Sequence, residues 1–288
     1  MCDHDAMDVM QRAGELNRRQ FGALGVGASV IAMLPRAADA AEVSESEVTI
    51  KTPDGNCDAH FVHPKTGAHA AILVWPDIFG LRDPFRQMSK RLAEYGYSVL
   101  TVNPFYRTQK APTAPPNPNF QDPPTREALF KLAGTLNATT HVTDAKAFVT
   151  WLDGQKQVDK KKKIGTEGYC MGGPMVLRAA AARADRIGAG ATFHGGGLTT
   201  KNPDSPHLLI PQMKASFLIA IADNDDKQDP TSKDILRKAF DDAKRPAEIE
   251  VYTGAQHGWC AIDSQVYNKD QAEKAWARKI ELYKKALA

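Results

Sequence analysis

The chain has 288 residues, 42% hydrophobic and 25% charged, with 21 glycines, 18 prolines and four cysteines. This usage belongs to a folded soluble protein and excludes a disordered, collagen-like or disulfide-dense chain; a chain this long buries most of its apolar surface without disulfide staples. Thirty-seven Lys and Arg against 34 Asp and Glu leave a net charge of +3, too little to argue for nucleic acid or an anionic membrane as partner.

At the amino terminus, Asn17-Arg18-Arg19-Gln20-Phe21 leads into a moderately apolar stretch over residues 21–34, followed by Ala38-Asp39-Ala40-Ala41. A basic region, a short apolar region and a small-x-small cleavage site, in that order, are the layout of an export signal. The Arg18-Arg19 pair resembles the twin-arginine type. That resemblance implies the twin-arginine translocase as a transient partner and a periplasmic or secreted product. The apolar stretch is shorter than the roughly 18 to 20 residues that span a bilayer as a helix, so no stable membrane insertion is expected. The acidic leader fits a signal less well, which leaves Met7 or Met10 as alternative starts. Residues 1–40 are thus read as signal and residues 41–288 as one domain.

Residues 48–52 alternate in polarity, Pro53-Asp54-Gly55-Asn56 supplies a turn, and residues 57–62 alternate again, which predicts an antiparallel hairpin. Near-continuous apolar runs follow at residues 70–75, 97–102, 187–193 and 215–222, with a last β-rich run at 249–252. Such runs suit parallel strands covered on both faces. Helical patterns lie at residues 84–95, 126–136, 141–152, 175–183, 232–243 and 270–286. The alternation predicts an α/β fold, a mostly parallel doubly wound sheet with an antiparallel β-ribbon at its start. The proline-rich segment 110–124 is either a lid beside a pocket or a surface connection. The lysine run at residues 160–163 reads as a solvated turn.

The stretch Ile164-Gly165-Thr166-Glu167-Gly168-Tyr169-Cys170-Met171-Gly172-Gly173-Pro174 reads strand, tight turn, helix. Gly168-x-Cys170-x-Gly172 is the nucleophile-elbow pattern with Cys in place of Ser, in which flanking small residues let the strand turn sharply into a helix. A thiol near a helix amino terminus is favoured as thiolate, and the Met171 N–H becomes a candidate oxyanion donor. A small buried Cys and a phosphate-cradling loop are the competing readings, the latter lacking the P-loop Lys-Ser/Thr. In this fold the triad runs nucleophile, acid, histidine along the chain. His257, directly after the last strand, is therefore the candidate base. His194 ends an earlier strand in the wrong order and reads as a pocket-lining or structural residue. The acid is sought among Asp223, Asp225, Asp226 and Asp229. A calcium loop is disfavoured there, because Lys227 takes a ligand position and Gln228 replaces the required glycine.

Together, Gly168-Tyr169-Cys170-Met171-Gly172-Gly173, the Asp-rich turn, His257-Gly258 and Trp75-Pro76-Asp77-Ile78-Phe79-Gly80 resemble the dienelactone hydrolase family of α/β-hydrolases. The resemblance implies a Cys170-His257-Asp225 triad and a second oxyanion donor at the Ile78 N–H. It implies that Asp77, where the family usually has Glu, holds the resting thiol. It also implies arginines that grip a substrate carboxylate: Arg107 matches one position, and the other is Ala261. His194 and Trp259 are further candidate substrate contacts.

The reading is a hydrolase that cleaves an ester or lactone through a thioester on Cys170, with no cofactor or metal. A general carboxylesterase or thioesterase without carboxylate preference is one alternative. A redox-sensing or binding module built on Cys170 is the other. Signal removal takes Cys2 and leaves Cys57, Cys170 and Cys260. An odd count in an exported protein calls for a free thiol, and a Cys57–Cys260 bridge stays open.

Overall fold

The computed structural model describes residues 40–116 and 118–288. The expected signal, with its arginine pair and Ala38-Asp39, lies outside the described residues. Strands β1 (Val43–Thr52) and β2 (Gly55–Pro64) form the hairpin, in register from Val43 opposite Pro64 to Thr52 opposite Gly55. The hairpin is longer than hydrophobic alternation predicts. Its added half carries polar residues tied by ion pairs, Glu47 to Arg86 and Glu45 to Lys90, which an apolar pattern cannot register.

The remaining strands are β3 (Ala71–Trp75), β4 (Ser98–Val102), β5 (Ile164–Tyr169), β6 (Ile187–Phe193), β7 (Ser216–Ala222) and β8 (Ala247–Tyr252). They form one eight-stranded sheet in the order β1-β2-β4-β3-β5-β6-β7-β8. β2 pairs antiparallel with β4, and every later neighbour is parallel. The chain moves from β3 outward to β4, then crosses back to place β5 on the other side of β3. Adjacent connections therefore part company at the carboxyl ends of β3 and β5, the place where open α/β sheets form a crevice.

Helices cover both faces. Helices α1 (Asp83–Glu94) and α7 (Lys269–Ala286) pack Phe85, Met88, Leu92, Trp276 and Tyr283 onto one face with Ile72 and Val74. Helices α2 (Pro123–Ala133), α3 (Ala138–Asp153), α4 (Gly172–Ala182) and α6 (Ser232–Asp242) cover the other face. There Leu129, Phe148, Val176 and Phe240 meet Leu73 and Trp75. Each such side chain taken wholly out of water contributes about 1.5–3 kcal/mol.

Two local findings differ from the expectations and a third settles a pairing left open. Pro123 and Pro124 open α2 behind Asp122, whose carboxylate accepts the Thr125 N–H; proline fits the first turn, where its missing N–H has no partner to lose. The Asp-rich turn is a short helix, α5 (Asp223–Gln228). The Cys57–Cys260 bridge is ruled out by placement: Cys57 sits in the core on one face of the sheet and Cys260 in the core on the other, and all three described cysteines are free.

The turn from β5 into α4 is the tightest point of the fold. A Cβ on Gly168 would lie 2.2 Å from the Gly172 carbonyl oxygen, and one on Gly172 would lie 2.4 Å from the Trp75 carbonyl oxygen. Gly172→Ala should lower stability by at least about 2 kcal/mol, because rigid backbone cannot yield to the added methyl. An unchanged urea midpoint in that variant would contradict the packing described.

Candidate active site

Cys170 closes β5 with φ 52, a left-handed conformation that is strained for a residue bearing a Cβ. Its N–H donates to the Phe193 carbonyl at 3.0 Å, and its carbonyl accepts from the Gly173 N–H at 3.0 Å. These bonds hold the turn and leave the side chain at the mouth of the crevice, where it lines a cavity of about 150 Å³. The Met171 N–H, at the start of α4, and the Ile78 N–H, in the loop after β3, have no protein acceptor among the described residues. Gly172 packed on the Trp75 carbonyl brings those two segments together. Two N–H groups without a protein acceptor thus lie in the segments that flank the strained Cys170.

His257 lies in the loop after β8, and Asp225 in α5 after β7. The His257 ring is paired with Asp225, Nδ1 to Oδ2 at 2.7 Å, and its N–H donates to the Asn224 side chain at 2.8 Å. The other side of the ring hydrogen-bonds Cys170. Burial disfavours the charged imidazole, but Asp225 and Cys170 outweigh it and hold His257 well above its ordinary value near 6.5. Asp223 and Asp226 are taken by Lys227 and Lys233, which leaves Asp225 as the acid that faces the histidine.

His194 is buried beside this pair, with its ring 4.9 Å from His257 and 5.1 Å from Trp259. Burial, then the charge on His257, push it well below the ordinary histidine value, so it is neutral. It lines the cavity. Trp259 does not: it is fully buried, stacked on Tyr252 at 5.3 Å, and backs His194 from behind.

Two expected residues are engaged elsewhere. Arg107 lies outside the cavity lining, paired at 2.6 Å with both Asp54 and Asp144 and set over the Tyr106 ring. A guanidinium held by two carboxylates away from the crevice cannot grip a substrate carboxylate. Asp77 does line the cavity, but its oxygens accept from Arg82 at 2.7 and 3.0 Å and from the Phe79 N–H at 2.9 Å, so it holds an arginine where the resemblance implies a thiol.

The cavity also uses residues that sequence reasoning passed over: Phe79, Arg82, Phe120, Asp263 and Val266. The proline-rich segment supplies Pro118 to Gln121, so it borders the pocket, with Phe120 edge-on to Phe79 at 6.3 Å. Its prolines were a visible signal of an ordered excursion; its target was not visible. Among the described residues no group of three or more His, Cys, Asp or Glu could hold a metal ion. Among them, too, no helix is long and apolar enough to cross a membrane.

Residues 57–287 match the model of the dienelactone hydrolase family. A carboxymethylenebutenolidase of Rhodococcus opacus is 26% identical over 225 residues, 77% of this chain and 83% of that protein. The fold is similar to that of a dienelactone hydrolase-like promiscuous phosphotriesterase from metagenomic libraries, at a TM-score of 0.69 and 20% identity over 85% of this chain and 99% of that one. A dienelactone hydrolase from Anabaena variabilis superposes at 0.60 with 16% identity, covering 85% of this chain and 99% of its own. With the family model spanning nearly all of the described domain, and with a mostly parallel sheet carrying a strand-turn-helix elbow at its crevice, this chain belongs to the dienelactone hydrolase family of α/β-hydrolases.

Proposed function

We propose that this hydrolase cleaves a carboxylic ester or lactone through a thioester on Cys170. The observation that carries the reading is the line Cys170, His257, Asp225, in which an imidazole held at 2.7 Å by a carboxylate faces a strained thiol at the cavity mouth. With the thiol proton already held on His257, the sulfur attacks the acyl carbon. The carbonyl oxygen gains the charge and is met by the Met171 and Ile78 N–H groups. The carbon–oxygen bond then breaks, and the departing oxygen takes its proton from His257. Water gives a proton to the neutral ring and attacks the thioester, the carbon–sulfur bond breaks to release the acid, and the sulfur is left beside protonated His257 as at the start. The paired arginines and small-x-small site at residues 18–41 support export of the folded domain by the twin-arginine translocase to the periplasm or beyond.

Cys170→Ala should lower kcat on a small aryl ester by about 10⁴-fold or more with little change in fold, since removal of one triad member is nearly as damaging as removal of all. Retained turnover would take Cys170 out of the mechanism.

The pairing also predicts a pH dependence. His257 is raised in the folded state, so its contribution to stability is complete below about 6.5, the unfolded value, and falls as pH climbs through the higher folded value. Asp225→Asn should weaken that decline, seen as a flatter Tm profile as pH rises above about 6.5, and should lower kcat/KM by on the order of 10³- to 10⁴-fold. An unaltered Tm profile would show that Asp225 does not hold the ring charged.

A further inference from the structure

Arg82 is the only Lys or Arg among the described residues that line the cavity. It stands at the start of α1 with its faces over the rings of Phe79 and Phe85, 5.2 and 5.0 Å from their centres. A guanidinium has five N–H donors. Nη1 donates to Asp77 Oδ1 at 2.7 Å and to the Gly80 carbonyl at 3.3 Å. Nη2 donates to Asp77 Oδ2 and to Asp263 Oδ1, both at 3.0 Å, and Nε donates to Asp263 Oδ2 at 2.7 Å. Every donor is taken. The three side chains are largely withdrawn from water, at 11% exposure for Arg82, 9% for Asp77 and 22% for Asp263, so their charges are weakly screened.

This wall of the cleft therefore carries two negative charges against one positive and has no N–H left to offer an anion. Apart from Cys170 and from His257, whose charge is paired with Asp225, the rest of the lining carries neutral side chains and is mostly apolar, with Ile78, Phe79, Phe120 and Val266. Arg107 is held by Asp54 and Asp144 outside the cavity lining. A carboxylate entering the cleft would lose water and meet like charge, whereas a neutral aryl or alkyl group would be buried against phenylalanine.

We propose that this site selects uncharged esters and lactones with an apolar flank and rejects substrates that carry a carboxylate, and that Asp263, by saturating Arg82, is the residue that sets the preference. The proposal rests on the hydrolase reading of Cys170. It also assigns the Asp77-Arg82-Asp263 bridge a positioning role. The bridge ties the loop that carries the Ile78 N–H to the loop that follows His257.

The test compares 4-nitrophenyl acetate with 3-carboxy-4-nitrophenyl acetate, which differ in one carboxylate and both release a coloured phenolate. Each rate is normalised to the uncatalysed hydrolysis of the same ester. The wild-type enzyme should favour the neutral ester in kcat/KM by about tenfold or more, as expected for a charge desolvated without a partner. Asp263→Asn keeps one acceptor oxygen, frees one Arg82 donor and removes one negative charge, and should shrink that ratio by about tenfold. Parity or a preference for the anionic ester in the wild type overturns the proposal, as does an unchanged ratio in the variant. The wild-type ratio decides alone if Asp263→Asn does not fold. Cys170→Ala, run alongside, separates the two levels: parity between esters whose cleavage needs Cys170 overturns the charge preference alone. Failure of the wild type to cleave either ester overturns the hydrolase reading and this proposal with it.

Discussion

The contact between Gly172 and the carbonyl of Trp75 fixes the distance between two parts of the chain that border the cavity. On one side of it stands the elbow that presents Cys170 at φ 52; on the other, the β3–α1 loop presents the Ile78 N–H. A side chain at Gly172 would push them apart. The sheet order supplies the rest of the geometry, because β3 and β5 are neighbours whose connections leave in opposite directions and open a crevice at their carboxyl ends. Strain at a single residue of about 1–3 kcal/mol is sustainable there because a fully covered sheet surrounds it.

Around that turn the charges are sorted by partner. His257 faces Asp225 and Cys170 and stays protonated against the effect of burial, while His194, 4.9 Å away and more deeply buried, has no carboxylate beside it and stays neutral. The two neighbouring rings differ in their partners: His257 has a carboxylate and a thiol, and neither ring nitrogen of His194 has a hydrogen-bond partner among the described residues. Arg82 shows the complementary case, a cation so thoroughly bonded to Asp77 and Asp263 that it serves as a brace between loops. These pairings divide the cleft into the Cys170–His257–Asp225 cluster, a neutral aromatic shelf and a closed ionic wall.

The parallel strands were legible because burial on both faces leaves continuous apolar runs, and the elbow because only small residues fit beside Cys170. His257 was singled out by chain order and its place after the last strand, and Asp225 by the family resemblance; in the structure the two are paired at 2.7 Å. Arg107 was misplaced because an arginine looks the same in sequence whether it faces a substrate or Asp144, and Asp144 is a helical residue 37 positions away. Asp77 was assigned to the thiol for the same reason, since nothing local announces that Arg82 will take both its oxygens. Asp263 and Phe120 sit in loops whose path depends on tertiary contacts, so their arrival at the cavity leaves no periodic trace. Cys57 and Cys260 could be counted but not placed, and their separation by the sheet is a property of topology alone.

The central claim is that Cys170 carries the acyl group during turnover. Intact-protein mass spectrometry, with peptide mapping, on wild-type enzyme quenched during reaction with a slowly hydrolysed neutral aryl ester tests it most directly. The account predicts a mass increase equal to the acyl group, located on the peptide that contains Cys170 and released by hydroxylamine. Turnover of the same ester with an acyl group trapped on another residue would contradict it.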